Sequence, residues 1–285
     1  PEHNGGVIHA HSSDQVRAAE EPILATETGF AGSLMERAAF ALAVRCTRWL
    51  RERRGSLRGA VVVALVGTGN NGGDALHALA HLERRGVRTT AFLVTDGAHD
   101  GGLAALRRAG GRVEPASVPD LAARVWRADV VLDALTGIGS RGALRGAAAD
   151  VVAALADSDP RPERHASTHG TSSRSVPGGR GSSAHAAPPG PPLVIAVDMP
   201  SGIGVDDGAL PGAVLRADRT VTFGAVKPGL VLPPASRFAG VVELVDLDLS
   251  LDDDAATVRR LGRSDLAAAW PRPTATDHKY SRGVL

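Results

Sequence analysis

Lysine is almost absent from this 285-residue chain: Lys227 and Lys279 are the only two, and every other basic side chain counted in the charge balance is an arginine. Aromatic residues are scarce too, with 5 Phe, 3 Trp and 1 Tyr. A single cysteine, Cys46, excludes an internal disulfide, a Cys-x-x-Cys redox pair and a multi-cysteine zinc site. It sits in a helical pattern among apolar neighbours and reads as a small buried hydrophobe. Charge of one sign is not in excess: Lys+Arg is 32 against Asp+Glu 31, so no overall basic field exists to bind nucleic acid or an anionic membrane. The longest purely apolar run, Ala60 to Val66, falls far short of the roughly 20 residues that a membrane-spanning helix needs. No apolar leader core or cleavage site stands near the start, which with the lone cysteine places the protein in the cytoplasm. The lack of an initiator Met at Pro1 suggests a fragment.

Missing motifs prune the enzyme classes further. Neither lysine follows a G-x-x-x-x-G loop, so a P-loop nucleotidase is excluded, and there is no G-x-S-x-G elbow of the α/β-hydrolase kind. The only tyrosine, Tyr280, lies in the tail, leaving no partner for a Tyr-Lys dehydrogenase pair.

Against these absences stands an ample core, with 43 % hydrophobic residues and 34 glycines, about 12 % where the average is near 7 %. Part of the glycine excess is local. Residues 157–192 hold 5 of the 34 Gly and 7 of the 18 Pro with hardly a large apolar side chain, and read as a disordered insertion. Elsewhere short β-branched runs alternate with helical patterns, the signature of βαβ units. The expected strands are 60–66, 88–94, 130–133, 194–197, 220–223 and 241–245, most of them apolar without alternation, as in a sheet covered on both faces. Helices are expected at 13–25, 32–54, 73–85, 101–109, 121–127 and 144–156. The fold class is therefore α/β, a three-layer α/β/α Rossmann-like sandwich with a mostly parallel sheet. Its expected limits are 13–250, after a disordered N-terminus at 1–12 and before a linker at 251–285. A helical turn or two falls at 265–270.

The sharpest feature is a buried strand running from Val61 to Val66 into Gly67-Thr68-Gly69-Asn70-Asn71-Gly72-Gly73-Asp74. Glycines there let backbone N–H groups approach a phosphate at a helix N-terminus, and ligands of open α/β sheets bind beyond the carboxyl ends of the strands. Gly67 to Gly72 satisfies G-x-G-x-x-G, with Asp96 at about the spacing of a ribose-binding acid. Asn70, Asn71 and Asp74 add two amides and a carboxylate, of which helix capping and turn formation account for some. Two further polar turns follow apolar strands. One is Asp133-Ala134-Leu135-Thr136-Gly137-Ile138-Gly139-Ser140-Arg141-Gly142, the other Asp198-Met199-Pro200-Ser201-Gly202. For a single strand-end acid a bond to nearby backbone is the commoner role, but three such turns in one sheet favour a site. Lys227 closes a fourth strand-end turn, where an amine either meets solvent or acts on phosphate or a carboxylate. His77 and His81, four apart, read as residues of a helix surface rather than as a metal pair.

The ordered set GNNGGD, DALTGIG, DMPSG and TFGAVKPG, running with Leu34-Met35-Glu36 from about Gln15 to Leu249, resembles the NAD(P)H-hydrate epimerases, the YjeF N-terminal domain family. Ala75 stands where the family usually has glycine, and Arg37 where it has asparagine. The resemblance implies an isomerase that interconverts the R and S forms of NADH or NADPH hydrated at C6 of the nicotinamide ring. It also implies a homodimer with one potassium ion per subunit. Carried over by motif, substrate contacts fall on Asn70, Asn71, Gly72, Gly73 and Asp74, on Gly137, Ile138, Gly139, Ser140, Arg141, Gly142 and Ala143, and on Asp198. Asn71, Asp133 and Ser201 would hold the ion through oxygen, which suits a hard cation. The expected acid/base is Asp133, its pKa set by Lys227 or the cation, with Asp74 as second choice. His278 to Gly283 resembles the opening of an ADP-dependent hydrate dehydratase domain, fused or separate in bacteria. None of that domain's active-site positions is present, so no dehydratase activity is expected of this chain. Two other readings compete: an NAD-dependent oxidoreductase, resting on G-x-G-x-x-G and Asp96, and a non-catalytic binding module, since related domains occur in RNA-decapping scaffolds. With so few aromatics, a nicotinamide ring would rest on backbone, amides and small apolar groups.

Overall fold

Uninterrupted apolar or β-branched runs form strands that bury both faces, and here they line up in one parallel sheet. The computed structural model describes residues 6–117, 120–162, 190–269 and 276. In chain order the elements are β1 (Ile8–Ala10), α1 (Ser13–Leu24), α2 (Leu34–Arg54), β2 (Val61–Val66), α3 (Asn70–Glu83), β3 (Arg88–Leu93), α4 (Asp100–Ala109), β4 (Arg112–Pro115), α5 (Leu121–Trp126), β5 (Val130–Ala134), α6 (Ala147–Asp157), β6 (Leu193–Val197), β7 (Arg219–Phe223), β8 (Val241–Val245), β9 (Val258–Arg260) and α7 (Arg263–Ala269). Seven strands pair in the order β4-β3-β2-β5-β6-β7-β8, all parallel. The order reverses between β2 and β5, and that switch point opens a crevice at the carboxyl ends of the strands.

Two cores cover the two faces. Leu42, Cys46, Trp49 and Leu50 of α2 join Leu76, Leu79 and Leu82 of α3 and Leu106 of α4 against one face. Val125 of α5 and Val152 and Leu155 of α6 close the other. Cys46 is fully buried, and burial pushes its thiol up to about 12. A third, smaller core of Met199, Ile203, Val205, Val226 and Leu230 gathers the turns after β6 and β7. Among the described residues no helix is long and apolar enough to cross a membrane.

Three expectations about the chain's margins need correction. The N-terminal stretch is not disordered throughout, since β1 pairs antiparallel with β9, Ile8 opposite Arg260 and Ala10 opposite Val258. Nor does the ordered unit stop at residue 250. Both strands have only three residues, too few to show alternation, and each partner lies about 250 positions away. The insertion is also narrower than 157–192. Asp157 ends α6, and Arg161 is buried with its guanidinium bonded to Asp159 and Asp218. Residues 163–189 lie outside the described residues, as does the tail from His278 onward that resembles a second domain.

The N-terminal arm is tied to late parts of the chain. His11 N–H donates to the carbonyl of Val226 at 2.9 Å. Ser13 donates through its N–H and its hydroxyl to Asp206, at 2.7 and 2.6 Å. Arg17 donates to the carbonyl of Ile138 at 2.7 Å. Each of those partners follows β7, β6 or β5, so α1 lies across the carboxyl end of the sheet and roofs the crevice.

Candidate active site

Close approach of two turns sets the shape of the crevice. A Cβ on Gly67 would lie 2.1 Å from the carbonyl oxygen of Leu135, and one on Gly72 would lie 2.3 Å from that of Gly67. Only glycine lets the β2 turn pack onto the β5 turn and onto the first turn of α3. Helix α3 starts at Asn70, three residues earlier than its apolar pattern suggests. Its N-cap is Gly69, with no side chain to satisfy the first amides. Those N–H groups and the positive end of the helix dipole are left for an anion.

The resulting cleft has a volume of about 1440 Å³ and is lined by the β2 turn, the β5 turn from Leu135 to Ser140, Asp198, Lys227 and the inner side of α1. Asp198 ends β6 at φ +63°, a left-handed conformation that Asp tolerates better than most residues. Its Oδ1 accepts from Lys227 Nζ at 2.5 Å and from the Thr222 hydroxyl and Phe223 N–H, each at 3.2 Å. Lys227 is only 1 % exposed and donates also to Thr222 Oγ1 at 3.1 Å and the Phe223 carbonyl at 2.8 Å. All three ammonium donors thus have acceptors.

Two more carboxyls face this pair. Asp74, in the second turn of α3, is buried. Burial foremost, then the charges of Asp198 and Glu20, push it well above the usual carboxylate range, against a smaller opposing pull from Lys227. Glu20 of α1 is raised by burial, with Lys227 opposing. The site therefore gathers the Asp74, Asp198 and Glu20 carboxyls around the buried Lys227 side chain.

Asp133 sits elsewhere. It is 1 % exposed, does not line the cleft, and its carboxylate accepts from Ser201 N–H at 2.8 Å and Ser201 Oγ at 2.5 Å. Burial raises its pKa, opposed by those bonds. Ser201 Oγ accepts in turn from Thr136 N–H at 3.1 Å, and Asn71 Nδ2 donates to the Thr136 carbonyl at 2.7 Å. Asn71, Asp133 and Ser201 are thereby joined through Thr136. The Asn71 Oδ1 is buried without a hydrogen-bond partner among the described residues, an orphan acceptor of the kind a cation satisfies. No group of three or more His, Cys, Asp or Glu is placed to hold a metal among those residues.

Of the residues expected at the site, Asn70, Asn71, Asp74, Gly137, Ile138, Gly139, Ser140, Asp198 and Lys227 line the cleft, whereas Gly72, Gly73, Arg141, Gly142 and Ala143 do not. Gly72 and Gly73 lie behind the loop as packing positions, and Arg141 and Gly142 are exposed. Asp96 is exposed beyond the end of β3. His77 is not a surface residue: it is buried under Phe30, rings 4.0 Å apart, and burial lowers its pKa to about 4. Arg17, Glu20, Phe30 and His99 also line the cleft without having been expected there. Their only sequence signal is a polar stripe on α1 and one Phe before a capping serine, patterns shared by ordinary surface helices.

The family named YjeF-related protein N-terminus matches residues 31–229. The chain belongs to this family. It is 38 % identical over 265 residues to the NAD(P)H-hydrate epimerase of Clavibacter sepedonicus, spanning 91 % of this chain and 98 % of that protein. It is 39 % identical over 277 residues to the bifunctional NAD(P)H-hydrate repair enzyme Nnr of Mycobacterium tuberculosis, covering 97 % of this chain but 49 % of that one. The chain thus spans about half the length of the bifunctional relatives. Its fold is similar to the crystal structure of yeast ynu0, with a TM-score of 0.59 at 17 % identity, over 83 % of this chain and 87 % of that one. The likeness to ynu0 confirms the α/β sandwich.

Proposed function

We propose that this chain is an NAD(P)H-hydrate epimerase, interconverting the R and S hydrates at C6 of the nicotinamide ring. The observation that carries this assignment is a buried carboxyl, Asp74, held above the usual carboxylate range by burial, inside a cleft walled by two glycine-rich turns and an open helix N-terminus. C6 of the hydrate bears a hydroxyl and the ring nitrogen. Asp74 gives its proton to that hydroxyl, the C6–O bond breaks to release water, and the nitrogen lone pair forms a planar iminium. Water then adds to either face, and its surplus proton passes to a carboxylate. A general acid so placed contributes about 10²–10⁴ in rate.

This scheme moves the acid/base role from Asp133 to Asp74, because Asp133 lies outside the cleft lining with its oxygens held by Ser201. Lys227 holds Asp198 in place. Asn71, Asp133 and Ser201 would hold a potassium ion, an assignment that the orphan Asn71 Oδ1 and the all-oxygen donor set support. When bound, that ion supplies a fixed positive charge beside the β2 turn. Substrate phosphates fit the α3 N-terminus. The exposed position of Asp96 weakens the oxidoreductase alternative, whose ribose contact depends on it. We further take the protein to act in the cytoplasm as a homodimer, supplying a dehydratase that is fused or separate. The lone buried thiol fits a reducing compartment.

The test is incubation of the pure protein with one epimer of hydrated NADH, with and without potassium, followed by chromatography of the two epimers. Approach to a common ratio from either epimer, faster with potassium, is expected. No exchange in either condition overturns the assignment.

A further inference from the structure

Epimerisation through a planar iminium has a demand that one acid cannot meet: water leaves from one face of the ring and returns to the other. A proton donor is needed on the face of departure and an acceptor on the face of return. Asp74, Asp198 and Lys227 all come from the sheet side of the cleft, at the start of α3 and the ends of β6 and β7. The opposite wall is α1, fastened across the sheet end by the bonds of His11, Ser13 and Arg17. Glu20 is the half-buried carboxyl that this wall turns into the cleft. The charged groups acting on it are Lys227 and Asp198 from the floor and Arg17 from its own helix, and its own charge in turn reaches Asp74.

We propose that Glu20 is the second catalytic carboxyl, accepting the proton from the water that returns on the α1 face. This inference rests on the epimerase assignment and deepens it. In one direction Asp74 donates a proton as the C6–O bond breaks and water departs. A water on the α1 side then forms the new C6–O bond, and its proton goes to the Glu20 carboxylate. The ring nitrogen recovers its lone pair, and one proton has moved from Asp74 to Glu20. The reverse direction returns it, and exchange with solvent resets the pair between turnovers. One proton is shared by the two carboxyls throughout, both of which line the same cleft. Residue 20 precedes the span matched by the family, 31–229, so the role is read from the fold of the arm.

Glu20→Gln and Glu20→Asp, compared with the parent across pH and in water enriched in ¹⁸O, test the proposal. In the parent, kcat is expected to follow a bell-shaped pH profile, and each inversion should place one solvent oxygen at C6. Glu20→Gln should lower kcat by about 10²-fold or more with KM within a few-fold of the parent, and should leave a one-sided pH profile. Glu20→Asp should regain at least ten-fold of that loss and restore the second limb. A parent-like kcat and pH profile in Glu20→Gln overturns the role of Glu20 while leaving the epimerase assignment standing. Absence of exchange in the parent overturns both. Retention of the original oxygen in the parent refutes the two-faced route. Should Glu20→Gln fail to fold, as read by circular dichroism, Glu20→Ala takes its place: loss of kcat and of one pH limb is expected, and a parent-like kcat and profile overturn the proposal.

Discussion

Removal of the buried Lys227 ammonium probes how the cleft is held. In Lys227→Met the stem is replaced at nearly the same volume, but Asp198 loses its 2.5 Å partner and keeps only the Thr222 hydroxyl and Phe223 N–H at 3.2 Å. Thr222 Oγ1 and the Phe223 carbonyl each lose a donor as well. Breaking a buried pair by deleting one partner costs about 3–5 kcal/mol, because an uncompensated charge stays behind. For a domain of this size each kcal/mol moves Tm by about 2–4 °C, so a fall of roughly 6–20 °C is expected. Urea unfolding should show the same loss at an unchanged m-value. The double variant Asp198→Asn/Lys227→Met removes both charges and should recover a good part of the deficit, a coupling that a double-mutant cycle reads directly. A single-variant loss below about 1 kcal/mol, or strict additivity in the cycle, would refute the picture of a desolvated pair supporting the cleft.

Asp74→Asn should cut kcat about 10²–10⁴-fold and alter the pH dependence of stability. Since burial raises the folded-state pKa of Asp74 above its unfolded value, the parent holds that contribution in full below about pH 4 and loses it as pH rises through the folded pKa. The Asn variant should therefore match the parent's slope in acid and gain on it toward neutral and alkaline pH, and parallel stability curves would sink the argument. Gly67→Ala should unfold at least 2 kcal/mol more easily in denaturant titration, because its methyl would meet the Leu135 carbonyl oxygen at 2.1 Å. A neutral effect would mean that the two turns separate at little cost.

The sheet and the floor of the site were open to sequence reasoning for a physical reason. Strands β2, β5, β6 and β7 are buried on both faces, so their composition alone betrays them, and each is followed by a polar turn at its carboxyl end. While Lys227 reads equally as a surface amine or as a partner of phosphate or carboxylate, the same logic brings Asn71, Asp133 and Ser201 to one crevice with Asp198 at its rim. It failed where structure depends on distant partners. Edge strand β4, Arg-Val-Glu-Pro, has one neighbour and no apolar run. That α1 packs across the sheet as an N-terminal arm follows from its place before the sheet's strands, but its amphipathic pattern is ordinary, and its ties to residues 138, 206 and 226 are what turn Glu20 inward. For Asp133 the strand end signals a polar turn, but not that its carboxylate oxygens turn to Ser201 rather than into the cleft.

The pairing of β1 with β9 has a consequence in time. Synthesis runs from the N-terminus at about 5–20 residues per second, and α1 is made before every strand of the seven-stranded sheet. Its anchors at Asp206 and Val226, and the strand that pairs with β1, emerge only after some 190 to 250 further residues, roughly 10 to 50 s later at those rates. The glycine-rich turn after β2 and most of the sheet can assemble in that interval, but the roofed cleft cannot. The wall that carries Glu20 closes last, so an unfinished chain can present the glycine-rich turns without the wall that encloses the cleft.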